Sequence, residues 1–178
     1  KDRTWIQNAK IIELTHGNMF TDDQFKRNLE WMRPDAIMGI GCTHEGTVNF
    51  LSAVGPNRGS KSDESVRKRI EIAHSMGIKV IATHSGVGNR AAGDAHPEWI
   101  RIRADGTPSP DNFAGWQMDL LSSYPETWFL TQVEEMLRDY DADGLWVDGD
   151  SWYLRPCYSA HTIERFVAET GYEPPRVG

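Results

Sequence analysis

The strongest constraint on the fold is a fourfold alternation of short apolar runs with amphipathic helical segments. The apolar runs lie at residues 11–14, 36–40, 78–82 and 144–148, and their length is typical of buried strands. Strands that alternate with helices predict a parallel sheet with right-handed crossovers. We therefore expect an α/β fold of about four strand–helix units.

The helical segments carry recognisable ends and apolar stripes. Thr21 and Gln24 have the spacing of a capping box, and Pro34 ends the first helix. Gly77 and Gly171 are placed to end the second and the last helix. The positions predicted to face the sheet are Phe25, Leu29 and Met32, then Val66, Ile70 and Ala73, then Phe129, Val133, Met136, Leu137 and Tyr140, and finally Ile163, Phe166 and Val167.

The length of the chain suits half of a barrel better than a whole one. A closed (β/α)₈ barrel takes about 250 residues, whereas this chain has 178. We expect residues 1–178 to form a single (β/α) domain, a partial TIM barrel that is the first half of a catalytic barrel. Residues 172–178 look like a chain that enters its next loop. The alternatives are a self-contained open sheet of four strands, or half-barrels that pair as a dimer.

Charge and hydropathy narrow the choice of partners. The net charge is −7 and no run of lysine or arginine stands out, so neither nucleic acid nor an anionic membrane is an expected partner. No apolar stretch approaches the roughly 18 residues of a membrane span. Residues 1–5 lack the apolar core of a signal peptide, which leaves the compartment open. Cys42 and Cys157 can form one bridge or remain two thiols.

Two predicted connections are too long to be simple scaffolding. Residues 41–61 and 84–124 follow the second and third strands, against a usual length of about 2–6 residues. Both leave the carboxyl ends of strands, where parallel α/β folds place their sites. Their content favours folded lids, and we expect Trp99, Trp116 and Trp152, which lie in loop-like segments, to face a ligand.

Polar side chains follow every predicted strand. His16, His44 and His84 come after the first three strands, and Asp148 ends the fourth. The carboxyl ends of parallel strands meet at one edge, so we expect these groups to share a pocket. Glu13, flanked by apolar residues, is expected to face the barrel interior. There it either binds substrate hydroxyls or is a buried structural carboxylate.

The most informative segment is the acidic end of the fourth strand, Asp-Gly-Leu-Trp-Val-Asp-Gly-Asp at residues 143–150. Alternation along a strand predicts that Trp146, Asp148 and Asp150 share one face. Carboxylates beside flat aromatic surfaces, here with Trp152 close by, suit an enzyme that acts on sugars. Glycoside hydrolysis normally needs two carboxyl groups that flank the scissile bond. Asp148 and Asp150 approach a sugar from the same side, so the second member is expected from another strand end.

Several motifs together give a resemblance to a known group. They are His-Pro-Glu-Trp at 96–99, Arg-Ala-Asp-Gly at 103–106, the block at 143–150, Arg-Pro-Cys-Tyr at 155–158 and Glu-Thr-Gly at 169–171. With them the chain resembles, over most of its length, the (β/α)₈ glycoside hydrolases related to α-L-fucosidases. Within these it is most similar to the branch labelled hypothetical glycosyl hydrolase or α-amylase-family protein. His16-Gly17 and His44-Glu45-Gly46 look like the strand-one and strand-two motifs that contact sugar hydroxyls in fucosidases.

The resemblance implies a retaining glycosidase with a carbohydrate substrate and no cofactor or metal. Asp148 stands at the position of the family's nucleophile, while the family's acid/base lies beyond strand four. Asp150 would support the nucleophile. The expected substrate contacts are Glu13, His16, His44, Glu45, His84, Trp146 and Trp152.

Two other functions remain open on the sequence. A metal-dependent TIM-barrel hydrolase or isomerase could gather the three histidines and two aspartates around a divalent cation. A non-catalytic carbohydrate-binding domain could use the tryptophan-rich rim. The oligomeric state is also open, with a homo-oligomer or the remainder of the barrel as the expected partner.

Overall fold

The computed structural model describes residues 4–14, 20–41, 45–111, 115–148 and 156–176. Its helices and strands follow one another as the alternation predicts, with a small hairpin added between the third and fourth units. In chain order they are β1 (Ile11–Glu13), α1 (Asp22–Met32), β2 (Ala36–Gly41), α2 (Ser60–Ser75), β3 (Lys79–Ser85), α3 (Arg90–Ala95), β4 (Pro110–Asp111), β5 (Gly115–Trp116), α4 (Leu130–Arg138), β6 (Gly144–Asp148) and α5 (Ala160–Thr170).

The main sheet has the parallel order β1-β2-β3-β6. Each neighbouring pair is joined through at least one helix, which is the crossover expected of a parallel sheet. The predicted α/β class and the partial (β/α) barrel are therefore confirmed. Within the described ranges, no helix is both long and apolar enough to cross a membrane.

The predicted helix ends are confirmed where the sequence carried a clear signal. The Thr21 hydroxyl accepts from the Gln24 amide at 3.2 Å, and the Gln24 side chain accepts from the Thr21 amide at 2.9 Å. Arg33 ends α1 in a left-handed conformation immediately before Pro34. Gly171 does the same after α5 with φ +75°, a conformation that glycine adopts without strain.

The core lies between the sheet and its helices. Its buried members include Phe25, Leu29, Ile37, Ile40, Val66, Ile70, Ala73, Val80, Ala82, Val133, Met136 and Tyr140. The predicted inward position of Leu137 is wrong, since 40% of this residue is exposed. Val133, Met136 and Tyr140 set the buried stripe, and Leu137 lies about 100° further round the helix from Met136. The apolar stripe of α5 is only half-buried.

The connection after β3 has a small core of its own. Buried members of this second cluster are Ala92, Trp99, Met118, Tyr124 and Trp128. The prediction of a folded connection is therefore confirmed for its described part. The prediction that Trp99 faces a ligand is wrong, because the indole is 7% exposed and packs against His96, Tyr124 and Trp128. Trp116 is half-buried, and its indole N–H donates to Asp94 at 2.6 Å.

The connection after β2 is fastened to α2 and α4. The Leu51 amide donates to the Asp63 carboxylate at 3.0 Å, and the Ala53 amide donates to Glu135 at 2.7 Å. Tyr140 donates its phenolic proton to Asp63. Burial, together with this bond, raises the pKa of Tyr140 to about 12. The connection after β2 is thus attached to the helical layer.

Candidate active site

The register between β3 and β6 decides which side chains share a face. Thr83 is paired with Trp146, and Ser85 is paired with Asp148. Register partners on parallel strands point to the same side of the sheet. These four residues therefore line one face, which we call the open face. The opposite face packs against the helices.

Trp146 and Asp148 are the exposed groups at the carboxyl end of β6. Trp146 is 54% exposed and Asp148 is also exposed. As residues two apart on one strand, their Cα atoms are about 6.6 Å apart along its axis. An indole and a carboxylate at this spacing can respectively stack on a sugar ring and reach its anomeric carbon.

The open face is flat beside Trp146 because the neighbouring positions carry no side chain or a small one. Gly41 is paired with Thr83, and a Cβ added at Gly41 would lie 2.1 Å from the Thr83 hydroxyl oxygen. The Thr83 hydroxyl donates back to the Ile40 carbonyl at 3.4 Å. Across the three strands, Gly41, Thr83 and Trp146 thus form a row in which only the indole of Trp146 projects far from the sheet.

His84 does not reach this face. It is paired with Val147 and is fully buried, with its Nε2 atom 2.8 Å from the Gln132 side-chain oxygen of α4. Its ring meets the edge of Phe129, with the ring centroids 4.7 Å apart. Burial lowers the pKa of His84, although the bond with Gln132 opposes this. The expected role of His84 in substrate binding is therefore wrong, because β3 continues through His84 and turns its ring toward the helices.

Glu13 lies on the open face. It is paired with Met38, which is in turn paired with Ile81 on the same side as Thr83 and Ser85. Glu13 is exposed on this face. Three strand spacings separate it from β6, or about 14 Å measured across the sheet. Substrate binding and a structural carboxylate both stay predictions for Glu13.

Glu45 lies where the connection after β2 meets the start of α3. Its carbonyl accepts from the Ala91 amide at 3.1 Å, while its side chain is exposed. The next residue, Gly46, leaves no room for a side chain, since an added Cβ would lie 2.0 Å from the Asn89 side-chain oxygen. Asn89 caps α3 by accepting from the Ala92 amide at 2.9 Å.

Four of the predicted site residues, His16, His44, Asp150 and Trp152, lie outside the described residues. Their convergence with Asp148 therefore stays a prediction. Among the residues that the structure does describe, no group of three or more histidine, cysteine, aspartate or glutamate side chains could hold a metal ion. Three members of the rival metal set, His16, His44 and Asp150, are not in those ranges.

Sequence reasoning missed two buried polar groups in the connection after β3. One is a chain of contacts in which Arg101 donates to the Ser109 hydroxyl at 2.8 Å and that hydroxyl donates to Gln117 at 3.0 Å. The other is the Asp119 carboxylate, which accepts from the hydroxyl groups of Ser159 and Thr162. The partners of Asp119 are 40 and 43 residues away along the chain, so no local pattern in the sequence indicates this contact.

Comparison with known proteins gives a family and a fold. The sequence model of the family described as hypothetical glycosyl hydrolase 6 matches residues 21–149. No match to a curated protein is found.

Solved structures of similar fold include glycoside hydrolases. The α-L-fucosidase isoenzyme 2 from Paenibacillus thiaminolyticus matches 93% of this chain with a TM-score of 0.71 and 24% identity. An α-amylase from Lactobacillus plantarum matches 82% with a TM-score of 0.56 and 18% identity. A hypothetical protein from Ruminiclostridium thermocellum matches 89%, and 90% of its own chain, with a TM-score of 0.60 and 16% identity.

The identities are low enough that these structures show the fold alone. The chain spans 26% of the length of the fucosidase and 39% of that of the amylase. The (β/α) arrangement of the four strands is common to the chain and these proteins.

Proposed function

This chain belongs to the family described as hypothetical glycosyl hydrolase 6, and we propose that it carries the nucleophile of a retaining glycosidase. The observation that carries the proposal is that Trp146 and Asp148 are both exposed on the open face, two residues apart at the carboxyl end of the fourth parallel strand. Active sites of (β/α) barrels are built at this end of the strands.

The proposal includes the architecture of the catalytic domain. Residues 1–178 form the first half of a TIM barrel, and the remaining strands cover the open face. Support comes from β1 and β6, which each have one neighbour in the described part of the sheet and so present edges that a closed barrel lacks. The partner of this half is the remainder of the barrel, from the same protein or from a second copy of the chain.

In the proposed reaction a carboxylate oxygen of Asp148 attacks the anomeric carbon and forms a glycosyl ester. The bond between that carbon and the leaving oxygen breaks, and the leaving oxygen takes a proton from a carboxylic acid on a later strand. In retaining enzymes this acid lies about 5–5.5 Å from the nucleophile. The same group, now a carboxylate, then deprotonates a water that hydrolyses the ester.

The other site residues bind the sugar in this proposal. Trp146 or Trp152 stacks on its apolar face, and Asp150 supports the nucleophile. Hydroxyl contacts come from Glu13, His16, His44 and Glu45. His84 has no part in binding, since it is buried on the helical side of the sheet.

The first substrates to try follow from the similar structures. Aryl α-L-fucosides are suggested by the fucosidase, and α-linked glucose oligosaccharides are suggested by the amylase. The open face offers Trp146 and Asp148 to a sugar with one apolar side.

The test is Asp148→Asn, with Asp141→Asn as the matched control. Asp141 is exposed and has φ +52°, a conformation that asparagine tolerates, and it lies just before β6 rather than at its carboxyl end. We expect Asp148→Asn to lose at least about a thousandfold in kcat with an unchanged circular dichroism spectrum, while Asp141→Asn stays active.

A chemical rescue tests the role of Asp148 more directly. Azide should restore turnover of an activated aryl glycoside by Asp148→Gly and leave a glycosyl azide of inverted configuration, because the anion replaces the missing carboxylate. Full activity of Asp148→Asn would refute the assignment. Sugar binding by the unaltered protein without any hydrolysis would favour the carbohydrate-binding alternative.

A further inference from the structure

Asp119 is a buried carboxylate that joins two distant parts of the chain. It is 3% exposed. Its Oδ1 atom accepts from the Leu121 amide at 3.0 Å and from the Thr162 hydroxyl at 3.1 Å, and its Oδ2 atom accepts from the Ser159 hydroxyl. Leu121 belongs to the connection after β3, whereas Ser159 and Thr162 begin α5.

The α5 side of this contact is a helix cap. The Ser159 hydroxyl accepts from the Thr162 amide at 3.2 Å while it donates to Asp119. The carboxylate therefore extends the cap of α5 with a negative charge beside the helix amino terminus, which is the favourable end for an anion. The Tyr158 amide donates to the Ile102 carbonyl at 2.8 Å and adds a second attachment to the same connection.

The backbone around Asp119 is hydrogen-bonded close to the end of β3. The Asp119 amide donates to the Trp99 carbonyl at 2.7 Å, and the Met118 amide donates to the Val87 carbonyl at 2.8 Å. Val87 is two residues beyond Ser85, the register partner of Asp148. Asp148 and the start of α5 are thus each attached to the β3 side, Asp148 through the strand pairing and Ser159 through Asp119.

We propose that Asp119 is a positioning residue: it fixes the amino-terminal end of α5 to the connection after β3, close to the strand end that is paired with Asp148, and so positions this rim of the site. This inference rests on the proposed function in that Asp148 is the reacting group. A helix start that is fixed close to the paired ends of β3 and β6 keeps this rim of the site in one arrangement, which is what precise placement at a catalytic site requires. Asp119 is buried against the start of α5, so it acts through the helix start that it holds.

The variant that tests this role is Asp119→Asn. An amide keeps the size of the side chain but presents N–H groups where one of the two acceptor oxygens stood. Asp63→Asn is the matched control, because Asp63 is also buried and accepts from three groups, the Leu51 amide, the Arg67 side chain and the Tyr140 hydroxyl. Thr162→Val removes a single bond to Asp119 and serves where Asp119→Asn does not fold.

Hydrogen–deuterium exchange measures the attachment without any substrate. We expect the amides of residues 156–163 to exchange about tenfold faster in Asp119→Asn, the effect of losing about one hydrogen bond to a charged group. Peptides of β1, β2 and β3 should be unchanged. Asp63→Asn should instead accelerate exchange around Leu51, in residues 49–55, and leave residues 156–163 as they were.

Kinetics measure the consequence for the site. With an aryl glycoside that the protein cleaves, Asp119→Asn should lower kcat about tenfold or more and change KM less than about threefold, because misplacement of reacting groups acts on the chemical step. Asp63→Asn should keep both values within about twofold. Equal kcat in the two variants would overturn the positioning role, as would unchanged exchange at residues 156–163 in Asp119→Asn.

The two proposals fail separately. A fully active Asp148→Asn variant would refute the nucleophile, while the exchange experiment would still decide whether Asp119 holds α5. Faster exchange in Asp119→Asn with undiminished turnover would leave the nucleophile in place and reject the functional role of Asp119.

Discussion

Ser85 and Asp148 stand side by side on the open face, as the last paired residues of β3 and β6. Ser85 is buried, and its hydroxyl donates to the Gly88 carbonyl at 2.9 Å, which fixes the turn that follows β3. Asp148 is exposed beside it. The end of β3 is thus held by a hydrogen bond, while the neighbouring end of β6 presents an exposed carboxylate. These two strand ends form the rim of the proposed site.

Trp146→Ala should weaken sugar binding while leaving the fold intact. An indole that is 54% exposed can cover roughly 50–100 Å² of a sugar ring, which corresponds to about 1–2.5 kcal/mol, or roughly 5- to 70-fold in Kd. Trp31→Ala is the matched control, since Trp31 is 85% exposed on α1. Calorimetric titration with an oligosaccharide measures both variants. Equal loss of affinity in the two would contradict the role of Trp146.

Gly41→Ala should destabilise the protein by about 1–3 kcal/mol, the usual effect of forcing an extra carbon into a filled space. The new Cβ would lie 2.1 Å from the Thr83 hydroxyl oxygen and 2.6 Å from the Thr83 carbonyl oxygen, so the backbone of β2 or β3 must move. Gly144→Ala provides the comparison, because its nearest contact would be an ordinary 3.9 Å from Ile81. Urea unfolding gives both free energies, and a Gly41→Ala variant as stable as Gly144→Ala would disprove the close approach.

His84 should make stability depend on pH below neutrality. Burial holds its pKa below the ordinary value of about 6.5, so the unfolded chain binds the proton more readily. The stabilisation is complete above pH 6.5 or so and is lost as the pH falls toward the folded pKa, with a slope of up to about 1.4 kcal/mol per pH unit. His84→Gln should flatten the slope between about pH 5 and 6.5 relative to the unaltered protein. Denaturant unfolding over this range decides, and identical slopes would reject the assignment.

The Asp143 carboxylate, just before β6, should stabilise the folded protein. Burial alone would raise its pKa, but bonds from the Val80 amide, Lys79 and His74 hold the pKa below its ordinary value. The stabilisation is therefore present above about pH 4 and is lost as the pH falls through the folded pKa. Asp143→Asn should cost about 1–3 kcal/mol at pH 7 and less at pH 3.

Asp139→Asn is the comparison for Asp143, since Asp139 pairs with Arg138 at the surface and such pairs contribute little to stability. Unfolding free energies at both pH values measure the two variants. A pH-independent effect of Asp143→Asn would show that the carboxylate charge is not what stabilises this end of the strand.

Local signals predicted the elements well. The Thr21–Gln24 capping box begins α1 as expected, and Gly171 follows the last residue of α5. β6 covers the predicted residues 144–148. Caps and alternation depend on neighbours within a few residues along the chain, so the sequence contains the information that determines them.

Features that depend on the exact bounds of a strand, on the rotation of a helix or on distant partners were harder to predict. A strand that ends at Ala82 predicts His84 on the rim of the site. β3 instead continues to Ser85, and alternation from Val80 through Ala82 places His84 on the side of the helices. Leu137 lies beside the buried stripe of α4, and only the rotation of that helix on the sheet decides its exposure.

The connection after β3 shows the limit of sequence reasoning at the site. Its motifs indicated a folded segment, yet Trp99 turned out to be core, because it packs against Tyr124 and Trp128 from the far end of the same connection and the turn before α4. The contact of Asp119 with Ser159 and Thr162 joins segments 40 or more residues apart. Such pairings have no local signature and arise only when the whole segment folds.

Phe129 packs against both hydrophobic clusters, the one beneath the sheet and the one inside the connection after β3. The Phe129 ring therefore joins the two hydrophobic clusters. For protein engineering, it marks where one rim segment could be exchanged for another: a graft that recreates the contacts of Phe129 should leave the strand packing undisturbed, whereas one that omits them would open a void at the junction.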